Sequence, residues 1–339
     1  MRTLLGTLFA CLLAWSTAGW ADGGLHVRVM AGNLTSGNDQ SYDPGDGVRI
    51  FQALQPQVVM IQEFNYADNS PEAIRQFVNS AFGRNFYYYR ENDPTDQIPN
   101  GVISQFPILD AGQWHDPYMP NRDFVYAKLD IPGPHKLWVV SVHFSNKLSK
   151  NRVNEADIVT KALKRNVPPG DYIVVGGDLN TRNGGEEALR RLSEVVSSTR
   201  VPTDSDKNVD TSSNRSKHYD WVLASPNLER HQVAVDFSVD GEEDQPGYNV
   251  YPDGLVFDTR TFPLLNRLEP ARQGDSDAAN MQHMAVIKDF EIPANDDGAA
   301  EVQARPVPVR EVVPKTQEGD ACRDAFSALN KRRQIRGRA

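Results

Sequence analysis

Residues 172–180, YIVVGGDLN, run from apolar side chains through two glycines to a carboxylate and, two positions later, an amide. If the path stays extended, Asp178 and Asn180 leave the same side of it. A charged acceptor and an amide converging at a strand end would suit a metal-bound water or a phosphate. Gly176 and Gly177 would let something large come close to the backbone. A tight turn is the plainer alternative, since Asp and Asn both favour turns. The pattern recurs along the chain. The run QVVMI ends in Gln62 and Glu63, KLWVVSV ends in His143, and the first apolar segment runs into Asn33. Asp220 stands just before WVLAS, and His283 just before MAVIKDF. Acids, amides and imidazoles at the edges of apolar strands are costly to bury without partners. Six such places in one chain point to a shared site.

Strands must carry these groups, and the periodicity supplies them. LHVRVMA (25–31) alternates as a strand does, while QVVMIQEF (57–64) and YIVVGGDLN read as buried strands. FYYYRE, GVISQF, FVYAKLDI, KLWVVSVHF, WVLAS, HQVAVDF and MAVIKDFEI add further strand-like runs. Helical spacing marks 45–54, 152–163, 186–192 and 71–82, the last opening on a proline. Several strands follow one another with no helix between them, which argues against a simple doubly wound sheet. The expected class is α/β, with two packed sheets and helices outside them.

The ends of the chain differ from this body. Residues 1–21 combine Arg2, an apolar stretch and Gly19-Trp20-Ala21, the pattern of a secretory signal peptide cut after Ala21. The stretch is too short to span a bilayer, and no other segment is long enough to be transmembrane. Cys11 leaves with it, so Cys322 stands alone and offers no internal disulfide. An exported chain without disulfides suits a periplasm or the extracellular space, with stability from a large core. The domain expected over 22–292 is followed by a Pro/Ala-rich linker at 293–318 and a short basic helix or tail at 319–339. A frayed, solvated tail is the simplest reading of that last segment. Docking on an envelope surface and a weak dimer through Cys322 are the functional ones.

The net charge of −9 includes Arg2 and five cations among residues 331–339, so residues 22–330 carry −15. Such a body repels a polyanion at long range and disfavours a nucleic-acid binder that works by basic grooves. A phosphate substrate would need a local counter-charge, such as a divalent metal.

In their order, Asn33, Gln62-Glu63, His143, Gly177-Asp178-Leu179-Asn180, Tyr219-Asp220-Trp221 and His283 resemble the endonuclease/exonuclease/phosphatase superfamily. That group contains DNase I, exonuclease III-like apurinic endonucleases, bacterial sphingomyelinases and inositol polyphosphate 5-phosphatases. NGVISQFPI (100–108) and NRDFVYAKLDI (121–131) also resemble strands of the family, so the resemblance covers residues 25–292. It implies a four-layer α/β sandwich and a hydrolase of phosphoester bonds. It implies Mg²⁺, or Mn²⁺, at Glu63 with Asn33 in support, since a hard ion prefers oxygen ligands. Asp178 would orient or deprotonate the attacking water, and Asn180 would donate to the phosphate. His283 would contact the scissile phosphate with Asp220 holding its ring, and His143 would donate to the phosphate or the leaving oxygen. Asn100 and Arg122 are weaker candidates for substrate binding, a surface salt bridge being the alternative for Arg122.

Two positions depart from the family pattern. Gln282 stands where many members have Asp, which leaves a metal site one anionic acceptor short, and Thr35 stands where a second acid is common. The implied function is an exported, Mg²⁺-dependent phosphodiesterase with nucleic acid, DNA or RNA, as its first substrate class. A phospholipid or inositol-phosphate phosphodiesterase on the same scaffold is one alternative. A family member that binds without catalysis is the other, and Gln282 motivates it.

Overall fold

In a computed structural model, which describes residues 24–238 and 249–293, the chain folds around two mixed β-sheets. The expected signal segment, the tail and all but the first residue of the linker lie outside the described residues. In chain order the strands are β1 (Leu25–Gly32), β2 (Val58–Ile61), β3 (Tyr87–Arg90), β4 (Gly101–Ser104), β5 (Ile108–Trp114), β6 (Phe124–Leu129) and β7 (Leu137–His143). They continue with β8 (Tyr172–Asp178), β9 (Asp220–Ala224), β10 (Gln232–Val233), β11 (Val235–Asp236), β12 (Val250–Tyr251), β13 (Leu255–Phe257) and β14 (Ala285–Ile292). One sheet has the order β10-β14-β1-β2-β4-β3, with β13 also on β14; the other is β5-β6-β7-β8-β9. The pairs β1–β2 and β7–β8 are parallel, and their neighbours are antiparallel.

Side-chain alternation divides the apolar residues among three cores. Val27, Val29, Val58 and Met60 of the first sheet meet Val139, Val174 and Val222 of the second. The outer face of the first sheet packs Met30, Val59 and Ile61 against Phe51 and Leu54 of α1 (Asp46–Leu54) and Phe77 of α2 (Pro71–Ala81). Val140, Val142 and Val175 of the second sheet cover Val159 and Leu163 of α3 (Ser149–Asn166) and Leu189 of α4 (Glu187–Leu192). The result is helix, sheet, sheet, helix, which is the four-layer arrangement expected. Helix α2 starts where the proline placed it, with the Ser70 hydroxyl accepting from the Ala73 N–H as N-cap.

Three sequence expectations change. Helix α3 runs three residues further at each end than 152–163, because polar residues there extend the helix without extending its apolar stripe. HQVAVDF is not one strand: β10 pairs with β14 and β11 with β12, the chain changing partner at Ala234. The glycines of β8 make room for protein. A Cβ at Gly176 would lie 2.2 Å from the Trp221 carbonyl oxygen and 2.6 Å from Met60 Cε. At Gly177, whose φ is +116°, it would lie 2.2 Å from Gln62 Nε2 and 2.5 Å from the Val142 oxygen. The facing sheet and the neighbouring strands therefore approach where a ligand was expected. Gln62 is drawn in by this closeness and donates to Ser141 Oγ (2.9 Å), joining the two sheets beneath their ends.

Gly177→Ala is expected to destabilise by about 2–4 kcal/mol, from backbone strain plus overpacking. Urea unfolding checks this: the midpoint should fall with an unchanged slope. A loss under about 0.5 kcal/mol, the range of neutral surface substitutions, would contradict the packing described.

Candidate active site

Strand register brings the second sheet's polar ends together. His143 is level with Asp178 across β7 and β8, and Asp178 is level with Asp220 across β8 and β9. In the first sheet β1 and β2 run parallel, with Gly32 beside Ile61, so Asn33 and Gln62-Glu63 emerge side by side. His283 precedes β14, which is antiparallel to β1 and so begins at the same edge. Tyr42 fixes this edge: its hydroxyl lies 3.0 Å from both the Gly32 and the Gln62 carbonyl oxygens and accepts from the Leu34 N–H.

Asp178, 1% exposed, is the centre of the cluster. Its Oδ2 lies 3.1 Å from His143 Nε2, 3.1 Å from Asn180 Nδ2, 3.3 Å from Asn33 Nδ2 and 3.5 Å from His283 Nε2. Its Oδ1 accepts from the Asn180 N–H (2.8 Å). Burial pushes this carboxyl up, but the charge of His283 and the hydrogen bonds from His143 and the Asn180 N–H outweigh it and hold the group well below its usual range. The path after Asp178 is not extended. Asn180 turns at φ +50°, so its amide meets Asp178 by a turn rather than by strand alternation. That amide also donates to the Phe144 carbonyl (3.0 Å), so both of its hydrogen bonds are to protein.

His283 Nδ1 lies 3.0 Å from Asp220 Oδ2, which also accepts from Thr211 Oγ1 (2.7 Å). The same hydroxyl accepts from the Tyr219 and Asp220 N–H groups, so Thr211 anchors the carboxylate twice. Burial pushes the imidazole's pKa down, yet Asp220 and Asp178, facing its two nitrogens, raise it to about 10. Burial lifts Asp220 only to about 6, so the proton rests on the ring at neutral pH. His143 goes the other way. Burial and the Arg122 charge lower it against the pull of Asp178, which leaves a neutral ring with a buried Nδ1 that has no partner.

The raised pKa of His283 stabilises the folded protein fully below its unfolded value near 6.5, and that contribution is lost as pH rises toward about 10. Asp220→Asn removes the largest upward influence and leaves burial dominant, so His283 should become neutral at much lower pH. NMR of the imidazole nitrogens in metal-free buffer would check this, and an imidazolium persisting above pH 8 in the variant would contradict it.

Glu63 stands at φ +50° just beyond β2 and receives Thr35 Oγ1 (2.6 Å) and Asn33 Nδ2 (3.4 Å). Asn33 Oδ1 is buried without a hydrogen-bond donor, as is Asp220 Oδ1. Free oxygens beside a half-buried carboxylate suit a hard divalent ion. Asp178, Asp220 and His283 also form a buried group whose atoms lie within 4.8 Å of one another and could hold a metal. The Asn33–Glu63 side offers oxygen atoms alone, which is the ligand set a hard ion prefers. Thr35, read from sequence as a missing acid, serves as a hydrogen-bond donor to Glu63.

Three expected site residues make their hydrogen bonds to protein. Gln282 is exposed and donates to Gln40 Oε1 (2.8 Å), so it is engaged away from the cluster. Asn100 is fully buried and donates to the Asp123 carbonyl (2.6 Å), as a brace between strands. Arg122 is 3% exposed and donates to the carbonyls of His143 (2.6 Å) and Phe144 (3.0 Å), which fixes the end of β7 from beneath. It is neither a surface salt bridge nor an exposed substrate contact. Sequence reading missed Tyr42 and Thr211, which lie in loops with no periodic signal.

A four-layer fold whose sheet ends converge on acids, amides and histidines defines a class of phosphoester hydrolases. The Endonuclease/Exonuclease/phosphatase family is matched over residues 43–241, and the chain belongs to that family. Asn33 and His283 fall outside the matched span, and the fold brings them to it. An endonuclease/exonuclease/phosphatase from Beutenbergia cavernae is similar, with TM-score 0.51 and 16% identity over 79% of this chain and 72% of that one. A functionally unknown conserved protein from Enterococcus faecalis has TM-score 0.51 and 11% identity over 77% and 98%. Truncated TDP2 from Caenorhabditis elegans has TM-score 0.50 and 16% identity over 80% and 100%. These likenesses show the fold. No curated protein sequence matches the chain.

Proposed function

We propose that the chain is an exported phosphodiesterase that uses Mg²⁺, or Mn²⁺, and water, with nucleic acid as its first substrate class. The observation that carries this reading is the His283 ring held between Asp220 and Asp178, at the edge that also holds Glu63 and Asn33. A divalent ion bound by Glu63 and Asn33 would supply positive charge to a phosphate oxygen and offset charge developing there. Asp178, kept anionic, orients a water and accepts its proton for in-line attack on phosphorus. His283 donates to a non-bridging oxygen, with Asp220 holding its ring and tautomer. Asn180 holds Asp178 in place and donates to the phosphate once its bond to Asp178 opens. His143 donates from Nε2 to Asp178 and holds the base in place, and would turn the same N–H toward the leaving oxygen once that bond opens.

Export rests on the leader at residues 1–21, and the catalytic unit on 22–292, with linker and tail serving location or assembly. Among the described residues no helix is long and apolar enough to cross a membrane. A phospholipid or inositol-phosphate substrate is the second reading, favoured by the acidic body. Incubation of the purified chain with plasmid DNA, RNA, sphingomyelin and phosphatidylinositol phosphates, with Mg²⁺ and with EDTA, tests it. Turnover of DNA or RNA supports the first reading; turnover of lipid alone moves the assignment to the second. Inertness toward all four opposes the hydrolase reading.

A further inference from the structure

Three segments adjoin the cluster along the chain: residues 144–150, which run from His143 into the first turn of α3, 179–185 after Asp178, and 211–219 before Asp220. Together they contain Lys147, Lys150, Arg182, Arg215 and Lys217 and not one carboxylate. In a body carrying −15 over residues 22–330, these segments carry five cations between the flanking acids Asp178, Glu186, Asp210 and Asp220.

The segments are tied to one another. Asn180 Nδ2 donates to the Phe144 carbonyl, which joins the first segment to the second. Arg152 donates to the Ser145 carbonyl (3.1 Å) and to both oxygens of Glu186 (2.8 and 2.7 Å), and Glu186 accepts from the Arg182 N–H (2.9 Å). Glu186, the acid that follows the second segment, is thereby neutralised by a buried arginine. Thr181 Oγ1 donates to the His218 carbonyl (2.6 Å), which joins the second segment to the third.

Of the five cations, Arg215 is paired with Asp204 and Asp258. Lys217 donates to the Tyr219 hydroxyl (3.1 Å), and the Tyr219 ring lies 5.5 Å from that of His283. Lys147, Lys150 and Arg182 are exposed, and their side chains have no ion pair or hydrogen bond among the described residues. Elsewhere Arg28, Arg49, Arg200 and Arg260 are paired with carboxylates, while Arg84, Lys161, Arg165 and Lys207 are exposed without a carboxylate partner among the described residues. Unpaired cations grouped at the mouth of a phosphoester site offer the local counter-charge that an acidic protein needs to hold a polyanion.

We infer that Lys147, Lys150 and Arg182 form a subsite for the phosphates flanking the scissile one, selecting a nucleic-acid strand over an isolated diester; this rests on the hydrolase reading above. Leu148, 61% exposed between the two lysines, is a single apolar side chain and no patch. A lipid surface is therefore the competing outcome rather than the proposal.

The test uses the full chain and the Lys147→Ala/Lys150→Ala/Arg182→Ala variant. Binding of a labelled single-stranded oligonucleotide is followed by fluorescence anisotropy in EDTA across a range of salt. Binding by the variant should weaken at least tenfold, and the slope of log affinity against log salt should shrink by about 2, three contacts at roughly 0.7 each. In Mg²⁺, kcat/KM for the oligonucleotide relative to bis(p-nitrophenyl) phosphate should fall by a similar factor. Unchanged binding and selectivity would overturn the subsite, as would binding of anionic vesicles, lost in the variant, with none of the oligonucleotide. Failure of the wild type to hydrolyse the small diester with any divalent ion speaks against the hydrolase reading instead, while the EDTA binding arm still judges the subsite.

Discussion

Asp178→Asn should lower kcat on a phosphodiester at least about 10³-fold, close to 4 kcal/mol of transition-state stabilisation. The size follows from what meets at one oxygen. Oδ2 faces the imidazoles of His143 and His283 and the amides of Asn33 and Asn180. An asparagine at 178 removes the base, and its own amide adds a donor to a ring of donors. It also withdraws one of the charges that keep His283 protonated, alongside those of Asp220 and Glu63. The fold should survive, because the residue ends a strand and the three cores lie behind it. Circular dichroism and the unfolding midpoint check the fold, and initial rates check the chemistry. A variant within about tenfold of wild type, a change of ~1.4 kcal/mol, would remove Asp178 from the reaction.

His283→Ala should cost about 10²–10⁴-fold in kcat, the usual range for a positioned acid–base group. The loss should fall on kcat more than on KM, because the imidazolium acts where charge develops in the transition state. Its structural consequence is the exposure of Asp220 as a buried carboxylate with Thr211 as its remaining side-chain donor. Asp220 should then take up a proton at higher pH than in the wild type. His283→Ala/Asp220→Asn removes that charge: it should recover stability relative to the single variant without recovering rate. Recovery of rate in the double variant would show that Asp220 had obstructed the site rather than His283 served it.

The sheets and helices were legible because a buried strand and an amphipathic helix write their period into the sequence. The site was legible where an apolar run stops at a polar residue, as at Glu63, His143 and Asp178. Orientation was not legible. GGDLN reads as extended, yet Asn180 turns at positive φ, and only the folded chain shows Gln62 filling the space that Gly177 leaves. Arg122 and Asn100 look in sequence like groups free to meet a substrate, but both are buried and donate to backbone carbonyls of residues more than twenty positions away. Gln282 directly precedes His283, and adjacency carries no information about which way an amide points. Thr211 and Tyr42 act through loop geometry, which has no period to read.

The most direct measurement of the central claim is hydrolysis of a phosphodiester in ¹⁸O-enriched water by the purified full chain, with Mg²⁺, after EDTA, and after Mg²⁺ is restored. The account predicts one ¹⁸O atom in the product phosphoryl group per turnover, loss of turnover in EDTA and its return with the metal. Turnover that persists in EDTA, or product phosphoryl groups without the label, would contradict it.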